Sequence, residues 1–385
     1  MYILYVYWRA IMLRKDWQDY LNKNKTDYHD EGFVNPADQN KIKIQLMLEI
    51  LEGCAYNCSG CFVKRRKNYG TGLGLDLAAQ LVDELTEQYV LDDIIVGPTD
   101  FFSSGNIIPV LEDPRFRKIV DALPEEGGLQ HNCSVDFFIG DERVEQVIKH
   151  VENSYLCERP FDVQIAVDLH MLDNSNVHSL IEKRLAMMEA SSVEYEVSLL
   201  CNITQKVDDD VLDKIESVRK KWGTVVEWGP SLVRAMVNKP DKMLGIIQGW
   251  NNSIQSVVDK DEKRFKENFI WQQSDNSHKN FNEVIVTVNN DKLYVVPFLY
   301  ENSPIYHESF EIPIEGSVLT SIMNKKHNLQ IQQYKNIPNL VCNNCEYVEN
   351  CNSRLIQTLM SDVIQQNECL INKNVMALYN NIGYR

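Results

Sequence analysis

Apolar residues recur along this chain at two periods, and the two periods take turns. From Ile42 onward, short apolar or alternating runs give way to polar loops. The loops give way to stretches with apolar positions three and four apart. Runs of the first kind fit strands, and stretches of the second kind fit amphipathic helices. Ile44–Leu51 reads as the first strand. Leu75–Tyr89 reads as a helix, with Leu77, Leu81, Val82 and Leu85 on one stripe. Asp93–Val96 follows as a short buried strand, Phe116–Leu123 as a helix, Ser134–Ile139 as a strand and Glu142–Val151 as a helix. Phe161–Leu169 alternates as a strand does, Val177–Ala190 is helical, and Val193–Leu200 is a strand. Asp209–Lys221 completes the helices and Thr224–Trp228 the strands. Strands alternating with helices predict an α/β fold with a parallel sheet. Right-handed crossovers curl such a sheet into a barrel or part of one, with its site at the C-terminal strand ends.

The remaining segments set the expected organisation. Residues 1–41 form a lead-in, apolar and aromatic to Leu13, then polar with turn signals at Asp30-Glu31-Gly32 and Asn35-Pro36-Ala37. Residues 42–238 carry the strand and helix alternation. Residues 239–283 are a polar helical connector in which Trp250, Phe265, Phe269 and Trp271 read as packing residues. Val284–Val288 and Leu293–Pro297 flank Asn289-Asn290-Asp291 and predict a hairpin, which opens a C-terminal unit over 284–385. Residues 300–341 show no diagnostic pattern.

Composition narrows the function classes. The chain has 385 residues, is 44% hydrophobic and 24% charged, and carries a net charge of −16. An acidic surface argues against nonspecific nucleic-acid binding, which needs basic groups. Met1–Leu13 lacks a basic leader, a cleavage site and the length to span a bilayer. A cytoplasmic protein with no membrane partner is expected. Ten cysteines without a secretory signal favour metal binding over disulfides.

Three of those cysteines stand on the loop that leaves the first strand, in Cys54-Ala-Tyr-Asn-Cys58-Ser-Gly-Cys61. Three thiolates on one short loop can hold three irons of a cubic four-iron cluster. With no fourth cysteine nearby, the last iron is open to an outside ligand. Zinc usually takes four ligands from paired CxxC units, and buried thiols are the bland alternative. The Cx3Cx2C pattern resembles the signature of the radical S-adenosylmethionine (radical SAM) superfamily. That resemblance implies a partial (β/α)6 TIM-like barrel and a [4Fe-4S] cluster whose open iron takes the amino and carboxylate groups of SAM. Many relatives have an aromatic between the second and third cysteines. Gly60 stands there instead, so Phe62 is the candidate to stack on the adenine, unless backbone alone holds it.

A second set follows near the C-terminus: Cys342-Asn-Asn-Cys345, then Cys351 and Cys369. Four thiolates suit either structural zinc or a fully ligated cubic cluster. Beside the first motif, this spacing resembles the SPASM extension, whose outer auxiliary [4Fe-4S] cluster would use Cys342, Cys345, Cys351 and Cys369. The inner cluster of that extension has no match. No cysteine lies near Val296-Pro297-Phe298, and Leu355 stands where another is expected. The expected architecture is therefore a radical SAM partial barrel with a smaller SPASM-like cysteine-rich domain. Cys133, Cys157 and Cys201 read as small core residues.

The same resemblance singles out further residues. Gly97-Pro98-Thr99-Asp100 stands where relatives carry a Gly-Gly-Glu-like motif for the SAM amino group, with Gly97 kept and Asp100 as the acid. Ser104, in the run Ser103–Asn106, is a candidate to line the same pocket; an ordinary glycine turn is the alternative. Asp168 ends the fourth strand at a position that resembles the ribose contact, or else is a loop acid or helix cap. His170 would point the same way on an extended chain. Asn202 ends the fifth strand, and Arg234 is placed to pair with the SAM carboxylate. Lys64-Arg65-Arg66-Lys67 is a basic run in an acidic chain, either a solvated face or a docking patch for an acidic electron donor such as flavodoxin or ferredoxin. SPASM-type enzymes often act on ribosomal peptides or proteins, which makes a peptide the first expected substrate class. A sugar- or nucleoside-like small molecule is the second, and a non-catalytic zinc or iron–sulfur protein is the rival from another class.

Overall fold

The computed structural model describes residues 41–52, 73–97, 99–125, 127–134, 141–203, 225–230, 283–289, 292–295 and 311–336, with scattered positions between 210 and 260. The elements in chain order are β1 (Ile42–Glu49), α1 (Leu73–Glu84), β2 (Tyr89–Gly97), α2 (Ile107–Leu111) and α3 (Pro114–Asp121). Next come β3 (Leu129–Ser134), α4 (Asp141–Glu152), β4 (Phe161–Asp168), α5 (Ser175–Glu189), β5 (Tyr195–Ile203) and β6 (Val225–Pro230). The last are β7 (Glu283–Asn289), β8 (Lys292–Val295), β9 (Glu311–Ile312) and α6 (Val318–Asn336). The strands form one sheet in the order β6-β5-β4-β3-β2-β1-β7-β8-β9. β1 to β6 are parallel, β7 is parallel to β1, and β8 turns back antiparallel.

β1 sits inside this order, with β2 on one side and β7 on the other. Its alternate side chains Ile44, Leu46 and Leu48 are fully buried, in one cluster with Leu75 and Leu81 of α1, Phe116 of α3, Val144 of α4 and Ile181 of α5. Burying each such side chain is worth about 1.5–3 kcal/mol. An exposed ion pair such as Lys118 with Asp83 is worth about 0–1 kcal/mol. The helix-facing side of the sheet therefore dominates the fold. On β1 the opposite face carries Gln45, Met47 and Glu49, buried yet two of the three polar.

Local chemistry explains several boundaries. Pro114 opens α3 behind Asp113, whose side chain accepts from the Arg115 N–H at 2.8 Å. Asp141 and Glu142 begin α4, and Lys149 and His150 end it, matching the helix dipole. β2 contains a bulge: Ile44 pairs with Leu91, but Leu46 pairs with Ile94. The extra residue lets Leu91, Ile94 and Val96 all join the helix-side core.

Most expected elements are present with shifted ends, and three differ in substance. β2 begins at Tyr89, where the sequence reading still had helix, because the bulge breaks the alternation that marks a strand. β3 begins at Leu129 rather than Ser134; its residues Gln130, His131 and Asn132 do not look like strand formers, and pairing with β2 and β4 makes the strand. α6 fills part of the segment that showed no pattern. The expected hairpin is present, and β7 hydrogen-bonds to β1, so it is continuous with the main sheet. Among the described residues, no helix is long and apolar enough to cross a membrane.

α6 packs Val318, Leu319 and Ile322 into the main core and is tied to α1 by a carboxylate as well. Glu84, at the end of α1, accepts from the Ser317 hydroxyl at 2.7 Å and the Leu319 backbone N–H at 2.8 Å. Burial raises the Glu84 pKa, but the donors from Leu319, Ser317 and Gln80 outweigh it and hold the group below its usual value of 4.5. A lowered folded value gives stability that is complete above the unfolded pKa and lost as pH falls through the folded one. Amide protection in α6 is thus expected to hold above pH ~5 and weaken as pH falls below 4.5. Glu84→Gln should remove most of that pH dependence, and Glu84→Ala should cost about 1 kcal/mol. Hydrogen exchange of α6 across pH tests both; an unchanged pH profile in Glu84→Gln would exclude this tie.

Candidate functional site

Parallel strands all end at one edge, and the described candidates Gly97, Asp168 and Asn202 stand at strand ends there. Glu49 pairs with Gly97 at the ends of β1 and β2. Asp168 pairs with Asn202 near the ends of β4 and β5, and Asn202 pairs with Gly229 of β6. Asp168 and Asn202, 34 positions apart in sequence, are thus direct neighbours across the sheet. His170 differs from expectation. It lies in a 3-10 helix, Leu169–Asp173, so the extended-chain argument that aligned it with Asp168 does not hold. Cys54, Cys58, Cys61, Phe62, Lys64–Lys67, Arg234, Cys342, Cys345, Cys351 and Cys369 lie outside the described residues.

What is described is the root of the cysteine loop and the segment beside it. The β1–β2 ladder runs one step past the strands, where the Leu51 N–H donates to the Gly97 carbonyl at 3.1 Å. The segment after Gly97 then folds over residues 50–52. Phe101 and Phe102 anchor it, each 1% exposed, with rings edge to face at 5.4 Å. Asp100 closes a turn, accepting from the Ser103 N–H at 2.9 Å through its side chain and from the Ser104 N–H at 3.1 Å through its carbonyl.

Ser104 and Asn106 face the root of the loop. The fully buried Ser104 hydroxyl lies 2.9 Å from the Glu52 carbonyl and 2.7 Å from Asn106 Oδ1. Asn106 Nδ2 donates to the Ile50 carbonyl at 2.7 Å, and Asn106 Oδ1 accepts from the Glu52 N–H at 2.6 Å. A backbone N–H can only donate and a carbonyl only accept, so these partners fix the orientation of the carboxamide. The Gly105 N–H also donates to the Glu52 carbonyl, at 2.8 Å, and Arg143 of α4 donates to the Ser104 carbonyl at 2.8 Å.

Two features mark the side of this segment that a ligand could use. A Cβ built on Gly97 would meet nothing within 4 Å among the described residues, which leave space beside the strand end. Thr99 is 3% exposed, and its hydroxyl finds no partner among the described residues. A buried hydroxyl without a partner is costly, and a polar ligand group would satisfy it. Gly97 and Thr99 thus fit a ligand with hydrogen-bonding groups, on the edge where parallel α/β sheets bind theirs. Sequence reading missed Thr99 and the role of Asn106. An apolar stripe finds cores, whereas these two act through single hydrogen bonds whose partners are set by tertiary folding.

No family model matches the sequence, and no curated protein does. Solved structures do. The chain is similar to native anSMEcpe with bound AdoMet, at 12% identity over 89% of this chain and 100% of that one, with a TM-score of 0.49. It is similar to native anSMEcpe with bound AdoMet and Cp18Cys peptide, at 12% identity over 89% and 99% of the two chains, with a TM-score of 0.48. The structural neighbours are structures of an anaerobic sulfatase-maturating enzyme, a radical SAM protein with a SPASM domain.

The space beside Gly97 yields a direct test. Gly97→Ala places a Cβ in it without a clash among the described residues. Thermal stability is expected to change by less than about 0.5 kcal/mol, while binding of SAM, the ligand expected from the cysteine motif, weakens about tenfold or more in calorimetry. Undiminished binding would show that the space serves no ligand.

Proposed function

We propose that this chain is a radical SAM enzyme that modifies a peptide or protein. The observation that carries the reading is the Cx3Cx2C run beginning two residues after Glu52, where β1 leaves the sheet at its C-terminal edge. In this reading Cys54, Cys58 and Cys61 hold a [4Fe-4S] cluster. When bound, cluster and SAM together supply a 5′-deoxyadenosyl radical that takes a hydrogen atom from the substrate, once a low-potential donor has delivered an electron.

The chain's own residues bind and orient. Backbone at Gly97, the Thr99 hydroxyl and the Asp100 carboxylate offer acceptors for the SAM amino group. Asp168, beside Asn202, accepts from ribose hydroxyls. Arg234 pairs with the SAM carboxylate and Phe62 covers the adenine. Ser104 serves the site from behind, through the loop root. Cys342, Cys345, Cys351 and Cys369 hold an auxiliary [4Fe-4S] cluster. The strand order supports a partial barrel in 42–238: β7 occupies the edge of β1 that β6 would need for closure. Among the described residues, β6 is left as an end strand of the sheet, and an open side favours an extended peptide over a small molecule.

Anaerobically purified protein is expected to contain about eight irons and to release 5′-deoxyadenosine from SAM under a strong reductant. Cys58→Ala should abolish that release; Cys369→Ala should keep some uncoupled cleavage and lose product. About four irons with one zinc per chain would replace the auxiliary cluster by a structural metal. No iron at all would leave a different class of protein.

Electron delivery is a separate test. Flavodoxin-like donors are acidic, and a chain of net charge −16 repels them at long range unless a local patch offsets it. Lys64, Arg65, Arg66 and Lys67 follow the last loop cysteine by three residues. Changing all four to Glu is expected to slow flavodoxin-driven turnover, most at low salt, where screening is weakest. Turnover with dithionite should change much less. Equal losses with both reductants would point to damage of the loop itself.

A further inference from the structure

Asn106 stands at the N-cap of α2, a position where Asn ordinarily accepts a bond from its own helix. It makes no such bond. Its carboxamide reaches 56 residues back to the Ile50 carbonyl and 54 back to the Glu52 N–H. A residue of a parallel strand opposite Leu51 would engage the same two groups. The described β1–β7 ladder ends at Leu48 with Val288, three residues before Leu51. The side chain thus extends β1 beyond its last strand partner, by two peptide units, up to the residue before Gly53. Ser104 and the Gly105 N–H add contacts to the Glu52 carbonyl, and Arg143 holds Ser104 from α4.

We propose that Asn106 is a positioning residue for the cysteine loop: backed by Ser104 and Arg143, its carboxamide sets the root from which Cys54 departs. One consequence is mechanical. The turn at Asp100 and the loop root at Ile50–Glu52 share this clamp, so a ligand seated against Thr99 acts on the hydrogen-bonded unit from which the cysteine segment continues. The inference rests on reading Cys54, Cys58 and Cys61 as cluster ligands, and its test has one arm that does not.

That arm uses the metal-free protein. Asn106→Ala is expected to speed hydrogen exchange at the Glu52 amide about tenfold, the loss of one hydrogen bond to a partly exposed group, and Asn106→Asp, which keeps only the acceptor, should fall between. The second arm uses reconstituted protein. Asn106→Ala should release iron to a chelator about tenfold faster than wild type and alter the paramagnetic signal of the reduced cluster on SAM addition. Asp113→Ala removes the cap of α3, with comparable cost to the fold; it should leave both iron release and signal unchanged. Wild-type exchange at Glu52 in Asn106→Ala, or equal acceleration of iron release by Asp113→Ala, would overturn the proposal. A wild-type protein that binds no iron would overturn the cluster reading, while the exchange arm still decides whether the clamp exists.

Discussion

The fold depends on β1 being paired on both edges. Met47 and Thr287 lie 240 residues apart in sequence yet touch across the β1–β7 ladder. A strand with two parallel neighbours makes its full set of backbone hydrogen bonds, and its helix-facing side chains are completely buried. Hydrogen bonds alone would not decide the matter, since each is worth about 1 kcal/mol net. Ile44, Leu46 and Leu48, with Val284, Val286 and Val288 beside them on β7, bury one continuous apolar band under the helices. The part-buried Lys43–Asp92 ion pair, at 3.0 Å, then helps to fix the β1–β2 register at the bulge.

Because β1 is held so firmly, the residues just beyond it can be positioned with small interactions. Leu51 still pairs with Gly97, and Ile50 and Glu52 are held by side chains and turns of the next loop. Two loops that follow different strands thereby become one hydrogen-bonded unit. Phe101 and Phe102 supply its hydrophobic anchor, and Phe101 also meets Phe161 of β4 at 6.3 Å between ring centres. The edge of the sheet is therefore preorganised by contacts that reach into the core, as a site that must hold reacting groups in place requires.

Much of this was legible in the sequence, for a physical reason. Alternation in Phe161–Leu169 and the helical stripe of Leu77 and Leu81 reflect burial on one face, and burial on one face is what a pattern records. Asp168 and Asn202 were placed at strand ends, and they are. Their pairing was not readable, because strand order is a property of the whole sheet. β2 was read too short because its bulge shifts the alternation at Asp92 and Asp93. β3 was misplaced because its strand character comes from its two neighbours rather than from its residues. Asn106 read as a polar turn residue that could line a pocket; its partners, Ile50 and Glu52, are distant in sequence and bind through backbone atoms that carry no sequence signal.

The strand order also bears on whether the sheet can close into a ring. In a closed barrel of six strands, β1 would pair with β6 and a ring of loops would surround the site. Here β7 takes that edge of β1, and β8 and β9 extend the sheet away from β6. Closing the ring would require breaking the β1–β7 ladder, whose register runs over six residue pairs from Lys43–Glu283 to Leu48–Val288. Several parallel hydrogen bonds and a buried valine row stand against that. Among the described residues the sheet is thus committed to an open order, with β6 at one end and β9 at the other.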